Sequence, residues 1–343
     1  MDVLITGGAG YIGSTVASAL TDAGHRAVVL DDLSTGRAEF VRGHRFYQGD
    51  VADRALVRRV LAENPGITAA VHCAARVVVP DSVARPGDYY RTNVTGTLEL
   101  AETLAGCGVR DLVFSSSAAI YRPGTDHSVD ESSPWAPASP YARTKAIAET
   151  MLADLAVATG LRVLALRYFN PVGADPLLRT GVQLRRPTHA LGVLAHAWGA
   201  GTPFSIMGTD YPTRDGTAIR DYVHVWDLAR AHVTALERFD RALDGRPAHA
   251  INLGTGRGTT VRELVAAFEH ATGRPVPVVE GPRRPGDTVG AYARTDRARR
   301  LLGWRAERDL ATAVADTLAW LERRGLVLPD LSRRERVPAG SGG

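Results

Sequence analysis

Short runs of β-branched and aliphatic residues alternate with longer stretches whose apolar positions return every three or four residues. Candidate strands lie at residues 3–6, 27–30, 45–48, 69–73, 112–116 and 162–166. Between them, residues 11–23, 55–62, 89–107 and 140–159 carry helical periodicity. Strand and helix in alternation imply βαβ units and a doubly wound parallel sheet, an α/β fold. From about Pro171 the texture shifts to loops rich in Pro, Gly and Arg, with shorter elements at 225–236, 260–271 and 310–323. A first domain over 1–170 is therefore expected to be followed by a smaller α/β lobe over 171–328. The two interleave, because residues 250–253 still have the pattern of a strand able to join the first sheet. The tail over 329–343 ends Pro338-Ala-Gly-Ser-Gly-Gly343, has little to bury and is expected to be loose.

Composition narrows the class. With 343 residues, 45% of them hydrophobic and 23% charged, the chain builds a large core and is neither a stapled mini-domain nor disordered. No apolar run approaches the roughly 20 residues that span a bilayer, and the first residues lack a basic leader, so a cytoplasmic protein without membrane attachment is expected. The net charge of +4 comes from 41 basic and 37 acidic residues that are interspersed, which excludes a nucleic-acid-binding stripe. Cys73 and Cys107 are expected to be buried thiols and match no zinc spacing, and no metal site is expected. One compositional detail bears on chemistry: Lys145 is the only lysine, all other basic residues except histidines being arginine.

Gly7, Gly10 and Gly13 fall in a G-x-x-G-x-x-G frame between the first strand and the first helix. Glycines there permit a tight turn and close approach of a pyrophosphate to the helix N-terminus, which makes the sheet Rossmann-type. The second strand ends in Asp31-Asp-Leu-Ser34, where a carboxylate can accept from adenosine ribose hydroxyls and would repel a 2′-phosphate, favouring NAD over NADP. Asp50, after the third strand, is placed to reach the adenine. Tyr141 and Lys145, four residues apart in a helical segment, share one face. The ammonium and the positive nicotinamide ring are both expected to lower the phenol's pKa and so to make an acid/base pair usable at neutral pH. Ser115-Ser-Ser117 closes an apolar strand, so the Ser117 hydroxyl and the Tyr141 phenol are expected to meet one substrate oxygen.

These residues resemble the extended short-chain dehydrogenase/reductase family and, within it, the UDP-glucose 4-epimerases. The similarity runs over about residues 2–325. It is carried by Thr6-Gly-Gly-Ala-Gly-Tyr-Ile-Gly13, Asp31-Asp-Leu-Ser-Thr-Gly36, Phe114-Ser-Ser-Ser-Ala118, Tyr141-x-x-x-Lys145, Arg167-Tyr-Phe-Asn-Pro-Val-Gly173, Asp210-Tyr-Pro-Thr-Arg-Asp-Gly216, Arg220-Asp-Tyr-Val-His224 and Arg283-Arg-Pro-Gly-Asp287. The resemblance implies tightly held NAD, a UDP-sugar substrate and a 4-keto intermediate, with Ser117, Tyr141 and Lys145 as the catalytic set. It also implies cofactor contacts from Gly7, Gly10, Tyr11, Ile12, Gly13, Asp31, Asp32, Leu33, Ser34, Thr35, Gly36, Asp50, Val51, Ala74, Ala75, Asn93, Ser115, Tyr141, Lys145 and Tyr168. Substrate contacts are expected from Ser117, Tyr141, Phe169, Asn170, Thr188, Arg220, Arg284 and Asp287. Sugar 4,6-dehydratases and decarboxylating relatives place an acidic residue beside the catalytic hydroxyl, where this chain has Ser117-Ala118-Ala119. A non-catalytic NAD sensor on the same fold would usually lack the Tyr-Lys pair.

The chain departs from the epimerase pattern at Arg76-Val-Val78, Arg122, Arg185-Arg-Pro-Thr-His189 and Met207. Arginines at 76, 122, 185 and 186 leave open a UDP-glucuronic acid 4-epimerase. Four residues after Asp287 stands Ala291, the resemblance's wall of the sugar pocket, with Tyr292 beside it. A small wall would admit N-acetyl sugars. The family also implies a homodimer through helices 89–107 and 140–159, whose apolar faces equally suit the monomer core.

Overall fold

The computed structural model describes residues 1–284 and 287–331. Seven parallel strands form the central sheet: β1 (Asp2–Thr6), β2 (Arg26–Asp31), β3 (Arg45–Gln48), β4 (Ile67–His72), β5 (Asp111–Ser117), β6 (Arg162–Tyr168) and β7 (Ala248–Leu253). Their spatial order is β7-β6-β5-β4-β1-β2-β3. Because the chain winds out from β1 to β3 and then crosses to β4, the order reverses between β1 and β4, where a doubly wound sheet opens a crevice at its carboxyl edge. The last strand comes from the C-terminal half and pairs Ala248–Leu253 with Val163–Tyr168.

Helices cover both faces. On one, α1 (Tyr11–Asp22) and α6 (Val225–Glu237) bury Val16, Leu20, Leu228 and Leu236 against Val3, Ile5 and Leu164. On the other, α2 (Arg54–Glu63), α3 (Gly96–Gly106) and α4 (Pro140–Thr159) bury Val57, Leu100 and Leu152 against Leu4, Val28 and Leu112. The sheet is thus apolar on both sides, which explains its uninterrupted Val/Ile/Leu runs. Helix α4 starts where Ser139 Oγ accepts from Ala142 N, with Pro140 in the first turn, and stops at Gly160 in the left-handed region. A separate cluster joins α5 (Ala190–Ala200), α7 (Val261–Thr272) and α8 (Leu310–Val327) through Leu194, Phe268 and Val314.

Two expectations change. The segment at 89–107 is a short helix, Pro86–Tyr90, then a π-helical turn, Arg91–Thr95, then α3. Cys107 is exposed, against expectation, whereas Cys73 is half-buried as a residue with its thiol turned inward. At the C-terminus, Pro329–Leu331 form a 3-10 turn in which Asp330 pairs with Arg37, and 332–343 of the expected tail lie outside the described residues. Among the described residues, no helix is long and apolar enough to cross a membrane, and no cluster of metal-ligating side chains occurs.

Candidate active site

The β1–α1 turn has room for little beyond its own backbone. Gly7 adopts φ +70, and a Cβ there would sit 2.5 Å from Ala74 N; at Gly13 it would sit 2.3 Å from Gly7 O. Helix α1 then begins at Gly10 with no side-chain cap and no acidic residue in its first turn. This is a cradle open to an anion, and Tyr11, Ile12 and Gly13 supply its first-turn backbone. Tyr11 donates its hydroxyl to Gly173 O at 2.7 Å. Asp31 is buried at the end of β2, where its carboxylate accepts from Ala9 N (2.9 Å) and Leu33 N (2.8 Å). Burial raises its pKa, the two N–H groups opposing. Asp32 and Ser34 are exposed, with Asp32 accepting from Ser34 N. The carbonyl of Thr35 accepts from Gln183, and Gly36 leaves no space for a Cβ beside Asp31. Asp50 caps its own turn through Ala52 N, and Val51 is buried.

Strand β5 and helix α4 meet at the sheet's carboxyl edge. Lys145 is 2% exposed and donates to the Ser115 carbonyl at 2.7 Å, its ammonium 4.9 Å from the Phe114 ring centroid. Desolvation brings its pKa down to about 8, with Cys73 and Glu149 opposing. One turn earlier, the Tyr141 phenol lies close enough to Ser117 for that hydroxyl to favour the phenolate. The Ser117 oxygen accepts from Ala119 N at 3.2 Å, which leaves its own proton to donate. Burial nonetheless raises the Tyr141 phenol, with Ser117 opposing. Desolvation, which the four-residue spacing does not record, sets this direction in the chain alone, where the Lys145 ammonium is turned to the Ser115 carbonyl.

Residues that the motifs assigned to the cofactor prove to brace the same corner. Asn93, in the π-helical turn, accepts from Arg76 N (2.8 Å) and donates to Arg76 O and Thr144 Oγ1 (both 3.0 Å), tying the β4 exit, where Ala74 and Ala75 lie, to α4. Tyr168 donates to His232 Nε2, since His232 Nδ1 carries the proton given to Leu228 O at 2.8 Å. Sequence reasoning missed His232 and also His72, which links Thr6 and Thr97 and is pushed by burial down to about 3. Only the periodicity of α6 pointed at His232, and it read as core.

On the substrate side, Asn170–Val172 pairs with Tyr222–His224, which sets Asn170 and Phe169 near Arg220. Asp221, also missed, is fully buried and accepts from Thr255 N, Gly256 N and Ala293 N, so it clamps two other segments of the lobe to its own. Arg220 donates to the Ile219 (2.7 Å) and Val289 (3.1 Å) carbonyls. Arg284 and Asp287 pair with each other at 3.0 Å, and Thr188 is exposed. Pro285 and Gly286 of that motif lie outside the described residues. Ala291 packs with Ala118 against Phe169 and Ala146, whereas Tyr292 lines a separate cavity of about 420 Å³ with His127, Ile219 and Arg257. Of the extra arginines, Arg122 is exposed and Arg185 donates to Asp330 O.

The sequence profile of the NAD dependent epimerase/dehydratase family matches residues 3–254. A UDP-glucose 4-epimerase of Azospirillum brasilense is 44% identical over 321 residues, 93% of this chain and 91% of that protein. Among solved structures, a UDP-glucose-4-epimerase from Stenotrophomonas maltophila with bound NAD and formylated UDP-arabinopyranose is similar at TM-score 0.88 and 39% identity, covering 95% of this chain and 99% of the other. One from Brucella ovis in complex with NAD is similar at TM-score 0.87 and 42% identity, covering 93% and 97%.

Proposed function

Because the chain belongs to the NAD dependent epimerase/dehydratase family, we propose that it is an isomerase interconverting UDP-glucose and UDP-galactose at C4 with tightly bound NAD. The observation that carries this is the juxtaposition of Ser117, Tyr141 and Lys145 beside the crevice into which the glycine turn opens. It also weighs against a non-catalytic sensor, which has no use for a paired phenol and serine.

The glycine cradle, tight enough to reject a Cβ at Gly7 and Gly13, fits a dinucleotide pyrophosphate. Bound in this cradle, NAD would supply the acceptor for the C4 hydride and the source of its return. The chain's own groups handle the proton and the geometry. Tyr141, as phenolate, removes the 4-hydroxyl proton, while Ser117 donates to the same oxygen and orients it. Lys145 supplies a fixed positive charge, which with the cofactor's ring opposes the desolvation that raises the phenol. Asn170, Arg220 and Arg284 hold the diphosphate and Asp287 the uridine ribose while the 4-keto sugar turns about that linkage. Arg284, exposed and paired with the half-buried Asp287, exchanges that contact for ligand at little cost. Once the sugar has turned and C4 is reduced from its other face, Tyr141 returns the proton to the C4 oxygen.

Ala291 supports a second substrate class. It precedes the Tyr292–Ala293 strand and packs on the cluster that holds Phe169, while Tyr292 lines a different cavity, so the wall is small and UDP-N-acetylglucosamine should enter. Neutral sugars are favoured over UDP-glucuronate, because Arg122 and Arg186 are exposed and Arg185 is tied to Asp330, which leaves Arg76, half-buried at the β4 exit, as the arginine a hexuronate would need. We assign a homodimer in the cytoplasm, the former because α4 exposes Ile147 (42%) beside Trp135 (38%) around a cavity of about 350 Å³ that Met151 also lines. The deciding experiment is 4-epimerisation of UDP-galactose by purified protein, and of the same substrate by Tyr141→Phe. The variant should fold and lose about 10²- to 10⁴-fold in turnover; no epimer from the parent, or undiminished turnover in the variant, sinks the reading.

A further inference from the structure

Directly behind the acid/base pair lies an ion pair that the reaction as derived does not use. Glu149 stands one turn beyond Lys145 on α4, and Arg167 stands on β6 in register with Ser116 of β5. Arg167 donates through Nη2 to Glu149 Oε2 at 2.7 Å and through Nε to Oε1 at 3.0 Å, with side chains 5% and 7% exposed. Ser116 donates its hydroxyl to the same carboxylate. The remaining guanidinium nitrogen reaches Tyr121 Oη at 2.5 Å and the Glu131 carbonyl at 3.3 Å, between the rings of Tyr121 and Trp135.

Stability is a poor reason for such a pair. Desolvating two charges costs several kcal/mol each, and a well-packed apolar pair in their place is often as stable or more so. Its location suggests another reason. The carboxylate holds Ser116, and the residues on either side of Ser116 do the site's work: Ser115 offers its carbonyl to Lys145, and Ser117 meets Tyr141. The groups acting on Lys145 are few. From β4 come the His72 imidazole, neutral because burial takes it down to about 3, and the Cys73 thiol, neutral because burial takes it up to about 12. From β5 come the Ser115 carbonyl and the Phe114 ring. Glu149 is the anion among them.

We propose that Glu149 is a positioning residue for the Tyr141–Lys145 centre: clamped by Ser116 and Arg167, it fixes the serine-bearing end of β5 against α4 and keeps a negative charge one turn from the Lys145 ammonium. Arg167 is the second part of the device, neutralising the anion enough to bury it and fixing its distance from the lysine. The inference rests on the assignment of Tyr141 and Lys145 as the acid/base pair, yet its test needs no turnover.

Lys145 is the only lysine, so NAD-loaded protein grown on lysine labelled with carbon-13 at Cε gives one side-chain signal whose shift follows the protonation of that amine. In Glu149→Gln, nearly isosteric and uncharged, the titration midpoint should fall by about one pH unit, because the lysine loses its anion and faces the Arg167 cation with only the more distant Glu131 to offset it. In Arg167→Gln it should rise by a similar amount, and in Glu149→Asp, which keeps the charge, it should stay near the parent. A purely architectural ion pair lowers the melting temperature in both charge-removing variants and leaves the midpoint unmoved, or moves it the same way in both; either result overturns the proposal. If one variant fails to fold, the direction of the shift in the other decides. The two readings fail separately: an undiminished Tyr141→Phe removes the acid/base assignment, whereas a stationary lysine signal removes the role of Glu149.

Discussion

Replacing Lys145 by Met tests how costly the buried ammonium is. Met has similar length and flexibility, so it fills the same space without the charge. In the folded protein the amine titrates at about 8, against 10.5 for the free side chain. At about 1.4 kcal/mol per pH unit, that difference is roughly 3 kcal/mol of folding free energy withheld whenever the amine is charged. This is a base with its folded-state value lowered, so the penalty is fully present below pH 8. Between pH 8 and 10.5 the unfolded chain keeps a proton that the folded chain has lost, and stability rises with pH. The Met variant escapes the penalty but leaves the Ser115 carbonyl without its donor, a loss of about 1–3 kcal/mol. At pH 7 the variant should therefore range from equal stability to about 2 kcal/mol more stable, while being catalytically crippled. Urea unfolding at a series of pH values gives the sharper reading. The parent should gain on the variant by about 1.4 kcal/mol per pH unit above pH 8. Tyr168 and Cys73, raised by burial, lower stability at alkaline pH, but they are present in both proteins and cancel in the difference. A difference that stays flat from pH 7.5 to 10.5 would refute the claim that Lys145 is held charged against desolvation.

Asp31→Ala should weaken NAD retention and relax discrimination against NADP; because Asp31 also holds Ala9 N and Leu33 N, thermal melting of the cofactor-free protein should fall by an amount worth about 1–3 kcal/mol. NAD retained as in the parent would make Asp31 a turn residue only. Ala291→Tyr should lower kcat/KM for UDP-N-acetylglucosamine far more than for UDP-glucose, and equal losses would show that the side chain does not face the sugar. Ile147→Asp, on the exposed face of α4, should convert dimer to monomer in sedimentation, and an unchanged mass would place the interface elsewhere.

Much of this was legible along the chain because period and burial agree. The apolar runs of β1 and β5 are buried on both faces, and the glycines at 7 and 13 have a steric reason that sequence position alone suggests. Three features were not legible. The π-helical turn at Arg91–Thr95 keeps helical periodicity, so nothing marked where Asn93 would bend back to Arg76. The direction of the Tyr141 shift depends on desolvation, which only packing determines. The choice between Ala291 and Tyr292 needed the pairing of Tyr292–Ala293 with Ser128–Val129, a contact between segments far apart in the chain. Asp221, His232 and Glu149 were invisible for a related reason: each is a polar residue whose partners come from other elements, and spacing records only local neighbours.

The central claim is that one hydride leaves C4 and returns to it without escaping. Purified protein, with no nicotinamide nucleotide added, should convert UDP-galactose carrying deuterium at C4 into UDP-glucose that retains the deuterium at C4, as read by proton NMR and mass spectrometry. Loss of the label to solvent, its appearance elsewhere in the product, or a reaction that proceeds only with stoichiometric external oxidant would contradict the account.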